Sequence, residues 1–188
     1  MAESSIVLLL LIAIVIGMIL WSIGIYNALQ RARVAAEWSF SNIDVELRRR
    51  HDLVPNLVES VKGYAAHERA TLEAVMQARA AATSAVKLND RVAAEGALTR
   101  GLGRLMAVAE AYPQLKADGG FIKLQEALSD TENRIASRRS GFNGAAGGFN
   151  ETLAVFPNNI LAGMFGFTPI AFLRENDAVV RAAPQVKF

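Results

Sequence analysis

The spacing of apolar positions divides the chain into segments of different kinds. Residues 6–25, IVLLLLIAIVIGMILWSIGI, form one run with no charge and no Pro. Twenty helical residues reach about 30 Å, the thickness of a bilayer's hydrocarbon core. Fourteen of the twenty are Leu, Ile or Val, each favouring the membrane centre by about 0.3–0.6 kcal/mol. From Tyr26 to His51 there is neither Gly nor Pro, and the pattern becomes a stripe. Leu29, Ala36 and Ile43 recur every seven residues, as do Phe40, Leu47 and Val54. That is helical spacing, so the spanning helix is expected to run on into a soluble helix. Asp52 and Pro55 predict an end to that helix, with Arg48, Arg49 and Arg50 as cations at its solvated last turn.

A second helix is expected from about Pro55 to Ala85, burying Leu57, Val61, Tyr64, Leu72 and Val75, with a loop over residues 87–90. A third begins near Asp90, where Leu98, Leu102, Leu105, Ala109 and Tyr112 follow alternating steps of four and three. Pro113 bends or ends it, and Asp118-Gly119-Gly120 is a turn. The fourth helix carries the clearest period: Phe121, Leu128, Ile135, Phe142, Phe149 and Phe156 stand seven apart, and Pro157 stops the run. Gly141, Gly144, Gly147 and Gly148 weaken it, at about 1 kcal/mol each against Ala. Beyond it, Ile160, Leu161, Met164, Phe165 and Phe167 form a short apolar cluster that either caps the helices or lies on the membrane surface. The segment after Arg174 shows no regular pattern.

These elements predict an all-α chain: an N-terminal transmembrane helix running into an antiparallel up-and-down four-helix bundle. The expected division is an anchor over residues 1–25, a bundle over 26–157, and an apolar segment with a tail over 158–188.

Charge and composition narrow the reading. The net charge of +2 gives no nucleic-acid signal. There is no Cys, which excludes disulfides, thiolate metal sites and a Cys nucleophile. A cleaved signal peptide would need a basic start and a shorter apolar run, whereas this one opens MAESS. No Lys or Arg precedes the span, and Arg31 and Arg33 follow it. The positive-inside rule then puts the N-terminus outside and the folded part in the cytoplasm. Trp21 and Tyr26 stand where an interfacial aromatic belt is expected.

The chemistry-bearing residues are few. His51 and His67 lack Glu three residues before them, and His67-Glu68 with Glu73 does not complete a His-Glu-x-x-His zinc signature. His51-Asp52 reads as a turn or capping pair rather than a catalytic one. No catalytic, cofactor-binding or metal-binding residue is assigned. The candidate association site is a small-residue face in the span, Ala13, Gly17 and Gly24, whose four-then-seven spacing projects to one side and permits close helix approach.

Several longer strings are distinctive: IDVEL from Ile43, RRRHDLVPNLVESVKGYAAHE from Arg48, AEAYPQLKA from Ala109 and LQEALSDTENRIASRR from Leu124. With Tyr26-Asn27, Trp38, Phe142-Asn143, Phe149-Asn150, Phe156-Pro157 and Phe165-Gly166-Phe167, they resemble the LemA family of bacterial membrane proteins. The resemblance covers residues 26 to about 172. It implies an N-terminal anchor in the bacterial cytoplasmic (inner) membrane, an outward N-terminus, a cytoplasmic helical bundle and no catalytic residues. The chain departs from the family pattern at Phe142 and Phe149, where the family usually carries Tyr, and in the glycines around them. The expected function is a non-enzymatic anchored scaffold that self-associates, as a homo-oligomer, and binds protein partners in the envelope. The alternative is a regulatory or signalling subunit of an envelope enzyme complex.

Overall fold

The computed structural model describes residues 2–173; the irregular tail expected after Arg174 lies outside them. The described chain is all-helical: α1 (Ala2–Tyr64), α2 (Arg69–Ser84), α3 (Leu88–Glu110), α4 (Pro113–Lys116), α5 (Gly119–Ala154) and α6 (Asn158–Met164). By length and composition, α1 is able to cross a membrane, and its most apolar stretch is not buried by protein. The chain forms two compact units. One combines Met1–Asn42 with Arg138–Leu173, and the other contains Ile43–Ser137.

The expected break at Asp52 and Pro55 is absent: α1 runs for 63 residues with Pro55 inside it. A helix-interior Pro costs about 3 kcal/mol. Around it, Val54, Leu57, Val58 and Val61 are all buried. At about 1.5–3 kcal/mol per side chain, an upper estimate, their burial outweighs the penalty. Propensity loses to packing. The chain breaks instead at residues 65–68, just before α2.

Within the unit Ile43–Ser137, one core gathers α1, α2, α3, α4 and the start of α5. Leu57 and Val61 meet Leu72 and Val75, Leu98, Leu102 and Leu105, Leu115, and Phe121 and Leu128. Tyr64, expected in this core, is 42% exposed. Its hydroxyl instead donates to Asp118 at 3.4 Å. The Asp118 carboxylate accepts the Phe121 N–H at 2.8 Å and caps α5, so Gly119 and Gly120, expected in a turn, open the helix instead.

The other unit is built on residues 2–42 of α1, the last turns of α5, and α6. Its core joins Leu29, Phe149, Ala162 and Phe167. Phe40 and Phe142 meet edge-on, with ring centroids 5.4 Å apart. The four glycines do not break α5, because burial of Phe142 and Phe149 on the same stretch offsets their cost. Five members of the seven-residue series are buried. The sixth, Phe156, lies beyond the end of α5 and is 76% exposed.

Candidate functional site

The most heavily interconnected side chains lie in the unit Ile43–Ser137, around one residue of α1. Arg50 was expected at a solvated helix end, but it is fully buried. The seven-residue step explains why: Arg50 occupies the column Leu29, Ala36, Ile43, Arg50, Leu57, whose other members are core residues. Its guanidinium is met by acceptors from two helices. Arg50 Nη2 donates to Glu95 Oε2 on α3. Arg50 Nη1 donates to both carboxylate oxygens of Glu132 on α5, at 3.0 and 3.2 Å, and to the Thr99 hydroxyl at 3.2 Å. Arg50 Nε is buried without a partner.

Glu95, itself buried, bridges two α1 residues. Its second oxygen lies 3.0 Å from His51 Nε2. A carboxylate only accepts, so Nε2 carries the proton in this contact. On the far side of the ring, Nδ1 lies 3.5 Å from the Thr83 hydroxyl of α2. The expected His51-Asp52 turn pair is therefore replaced by a His51–Glu95 contact between helices. Burial pushes the Glu95 pKa up, but the His51 hydrogen bond and the Arg50 charge outweigh it. The net result is a carboxyl held below its usual 4.5.

One turn further, Pro55 removes the N–H that the His51 carbonyl would accept four residues on. That carbonyl accepts Arg79 Nε from α2 at 2.6 Å. So α2, α3 and α5 each send a polar group to α1 between residues 50 and 55. Nearby, Arg91 Nη2 donates to Asp44 at 2.5 Å. With its guanidinium and first carboxylate sealed from solvent, the cluster has the character of a structural lock. Charges so buried must be paired, and breaking such a pair costs about 3–5 kcal/mol. Among the described residues, no group of three His, Asp or Glu side chains is arranged to hold a metal. His67 is exposed between α1 and α2.

Ala13, Gly17 and Gly24 all lie exposed on α1. A Cβ added at Gly17 or Gly24 would meet nothing within 4 Å. In the same unit a second constellation went unread in the sequence. Asn150 and Asn143 each hold one backbone position of the segment after α6. The Asn150 side chain accepts the Ile170 N–H at 2.8 Å and donates to its carbonyl at 2.9 Å. Asn143 does the same for Leu173, at 2.9 and 3.0 Å. Seven helical residues rise about 10.5 Å, and three extended residues cover about 10 Å. The two amides thus act as rungs of matched spacing, with residues 170–173 running antiparallel to α5. The available signal was the repeated Phe-Asn pair at a seven-residue interval.

Two outcomes test this geometry in the full-length protein in mild detergent. Arg79→Met should cost about 1–3 kcal/mol, the penalty of an orphaned carbonyl. In a Pro55→Ala background, which restores the N–H, that cost should shrink by at least about 1 kcal/mol. Equal costs in both backgrounds would mean that Arg79 acts elsewhere. The second concerns pH. Because the folded-state pKa of Glu95 is depressed, its contribution is complete above the unfolded value and is lost as pH falls through the folded one. Urea unfolding between about pH 7 and pH 3 should therefore show an acid loss of stability that is smaller in Glu95→Gln. An unchanged slope would remove Glu95 as its source.

Comparison with known proteins agrees with the strings noted above. Residues 39–188 match the LemA family. The chain is 29% identical over 179 residues to the magnetosome protein MamQ of Magnetospirillum gryphiswaldense, covering 81% of this chain and 66% of that protein. It is 29% identical over 164 residues to magnetosome protein MamQ 2 of Paramagnetospirillum magneticum, covering 73% of this chain and 60% of the relative. The chain thus spans less than two thirds of the length of the curated relatives it matches. The matched residues make up most of the chain, and this chain belongs to the LemA family.

Proposed function

We propose that this protein is a non-enzymatic, membrane-anchored helical scaffold that self-associates and presents its folded part to protein partners in the bacterial envelope. The observation that carries the reading is α1 itself. An unburied apolar span near the N-terminus continues without a break into a helix that builds a packed core. Membership of the LemA family supports it. In this reading the core helices form an antiparallel up-and-down bundle on the cytoplasmic side of the inner membrane. The exposed Arg31 and Arg33, just past the span, favour that side. The proposed division is anchor 1–25, bundle 26–157 and terminal segment 158–188. The face of Ala13, Gly17 and Gly24 serves self-association, since lipid gives apolar helices no hydrophobic reason to pair and close packing must drive it.

The test compares three proteins by mass in detergent: full length, Gly17→Ile, and a chain starting at Tyr26. The scaffold reading expects an oligomer for the first, a smaller species for the second and a monomer for the third. Three monomers would contradict it. A full-length monomer that co-purifies in fixed ratio with an enzyme would replace it with the regulatory-subunit reading.

A further inference from the structure

The segment around α6 has an unusual composition for a surface. From Ser140 to Leu173 the only charged residue is Glu151. One side of this segment is inward: Ala162 and Phe167 pack on Leu29 and Phe149. The outward side is apolar as well. Phe156 is 76% exposed, Ile160 55%, Met164 74% and Phe165 53%. An exposed apolar patch of this kind on a soluble surface would be costly and calls for an occupant.

Its position identifies that occupant. The Phe165 ring stands edge-on to Tyr26, with centroids 5.0 Å apart, and Phe167 does the same at 5.7 Å. Phe165 also closes an apolar groove on α1 lined by Val15, Met18, Ile19, Ser22 and Ile23. Those residues belong to the span. Whatever depth the end of the span occupies, Phe165 shares it.

The fold fixes this placement. Gly166, with φ of 70°, ends α6 in a left-handed turn. The Phe167 N–H reaches back to the Ala162 carbonyl at 3.0 Å, and the Gly166 N–H to Gly163 at 3.4 Å. This is the Schellman arrangement, which turns the chain sharply and buries Phe167. The Asn150 and Asn143 rungs then tie down the following residues. At about 100° per residue, the groove face lies roughly opposite the face of Ala13, Gly17 and Gly24. The span can therefore hold Phe165 on one side and another helix on the other.

We propose that the α6 hairpin is a second membrane contact: an interfacial foot whose Phe156, Ile160, Met164 and Phe165 side chains enter the same leaflet as the end of the span. The occupant is the headgroup–acyl boundary of the lipid bilayer. The foot uses the pattern of interfacial elements, apolar and aromatic side chains buried about 5–10 Å without crossing. This rests on the reading of residues 6–25 as an anchor.

The full-length chain in phosphatidylcholine vesicles, with bromine on the acyl chains near the headgroup, provides the test. The protein has two tryptophans, Trp21 in the span and Trp38 on the soluble part of α1, 70% exposed. Single-tryptophan versions report each place: Trp38→Phe keeps Trp21, Trp21→Phe keeps Trp38, and the double replacement carries either Met164→Trp or Phe165→Trp. Met164 is largely exposed, so its replacement guards against misfolding at 165. Tryptophan at 164 and at 165 should lose at least about half its emission, like Trp21, while Trp38 keeps its own. Quenching at Trp21 with none at 164 or 165 overturns the foot and leaves the anchor standing. No quenching at Trp21 overturns the anchor, and the foot with it. Equal quenching at Trp38 also overturns the foot, since contact would then be unspecific.

Discussion

The continuity of α1 is the constraint on which the other features depend. A helix of 63 residues must carry an apolar span, a proline and a buried guanidinium on one axis. The last two would each disrupt an isolated helix or an apolar core. Both faults lie within six residues, and three other helices answer them. Arg79 supplies the hydrogen bond that Pro55 withholds from the His51 carbonyl. Glu95 and Glu132 neutralise Arg50, and Glu95 also engages the His51 ring. These polar contacts are directional, unlike the surrounding leucines and valines. A shift of α2 or α3 by one turn would leave a charge or a carbonyl unpaired in the core, so the cluster fixes register more than it adds stability.

The unit of residues 2–42 and Arg138–Leu173 solves a different problem. Its later segment has almost no charge, so ion pairs cannot order it. Side-chain amides do the work instead. Asn143 and Asn150 each present a donor and an acceptor, as a peptide group does, and pair with backbone that has no helix or sheet partner. In the same unit the rings of Tyr26, Phe149, Phe165 and Phe167 pack on one another.

Much of this was legible in the sequence, for physical reasons. The seven-residue columns are set by packing, and they located Leu29, Ala36, Ile43, Leu98, Leu102, Phe121, Ile135 and Phe149 as buried. Local propensity misled where packing overrode it, at Pro55. The lock was missed because charge was read as exposure. Arg50 stands in a core column of α1, and Glu95 stands seven before Leu102 and fourteen before Ala109 on α3. Two opposite charges in two apolar columns are the signature of a buried pair. Phe156 failed in the opposite direction: it kept the period, but the helix carrying that period had ended.

The claim that α1 is unbroken through Pro55 is open to a direct distance measurement. The chain has no native cysteine, so Val45→Cys and Lys62→Cys can be spin-labelled selectively. Both positions are exposed, and both flank the proline within the unit Ile43–Ser137. Seventeen helical residues separate the labelled backbone positions by about 26 Å. Pulsed electron resonance on the full-length protein in lipid should give one narrow distribution near that value. A broad distribution, or one centred well below it, would mean that the helix ends at Pro55, and the lock would then have no continuous helix to hold.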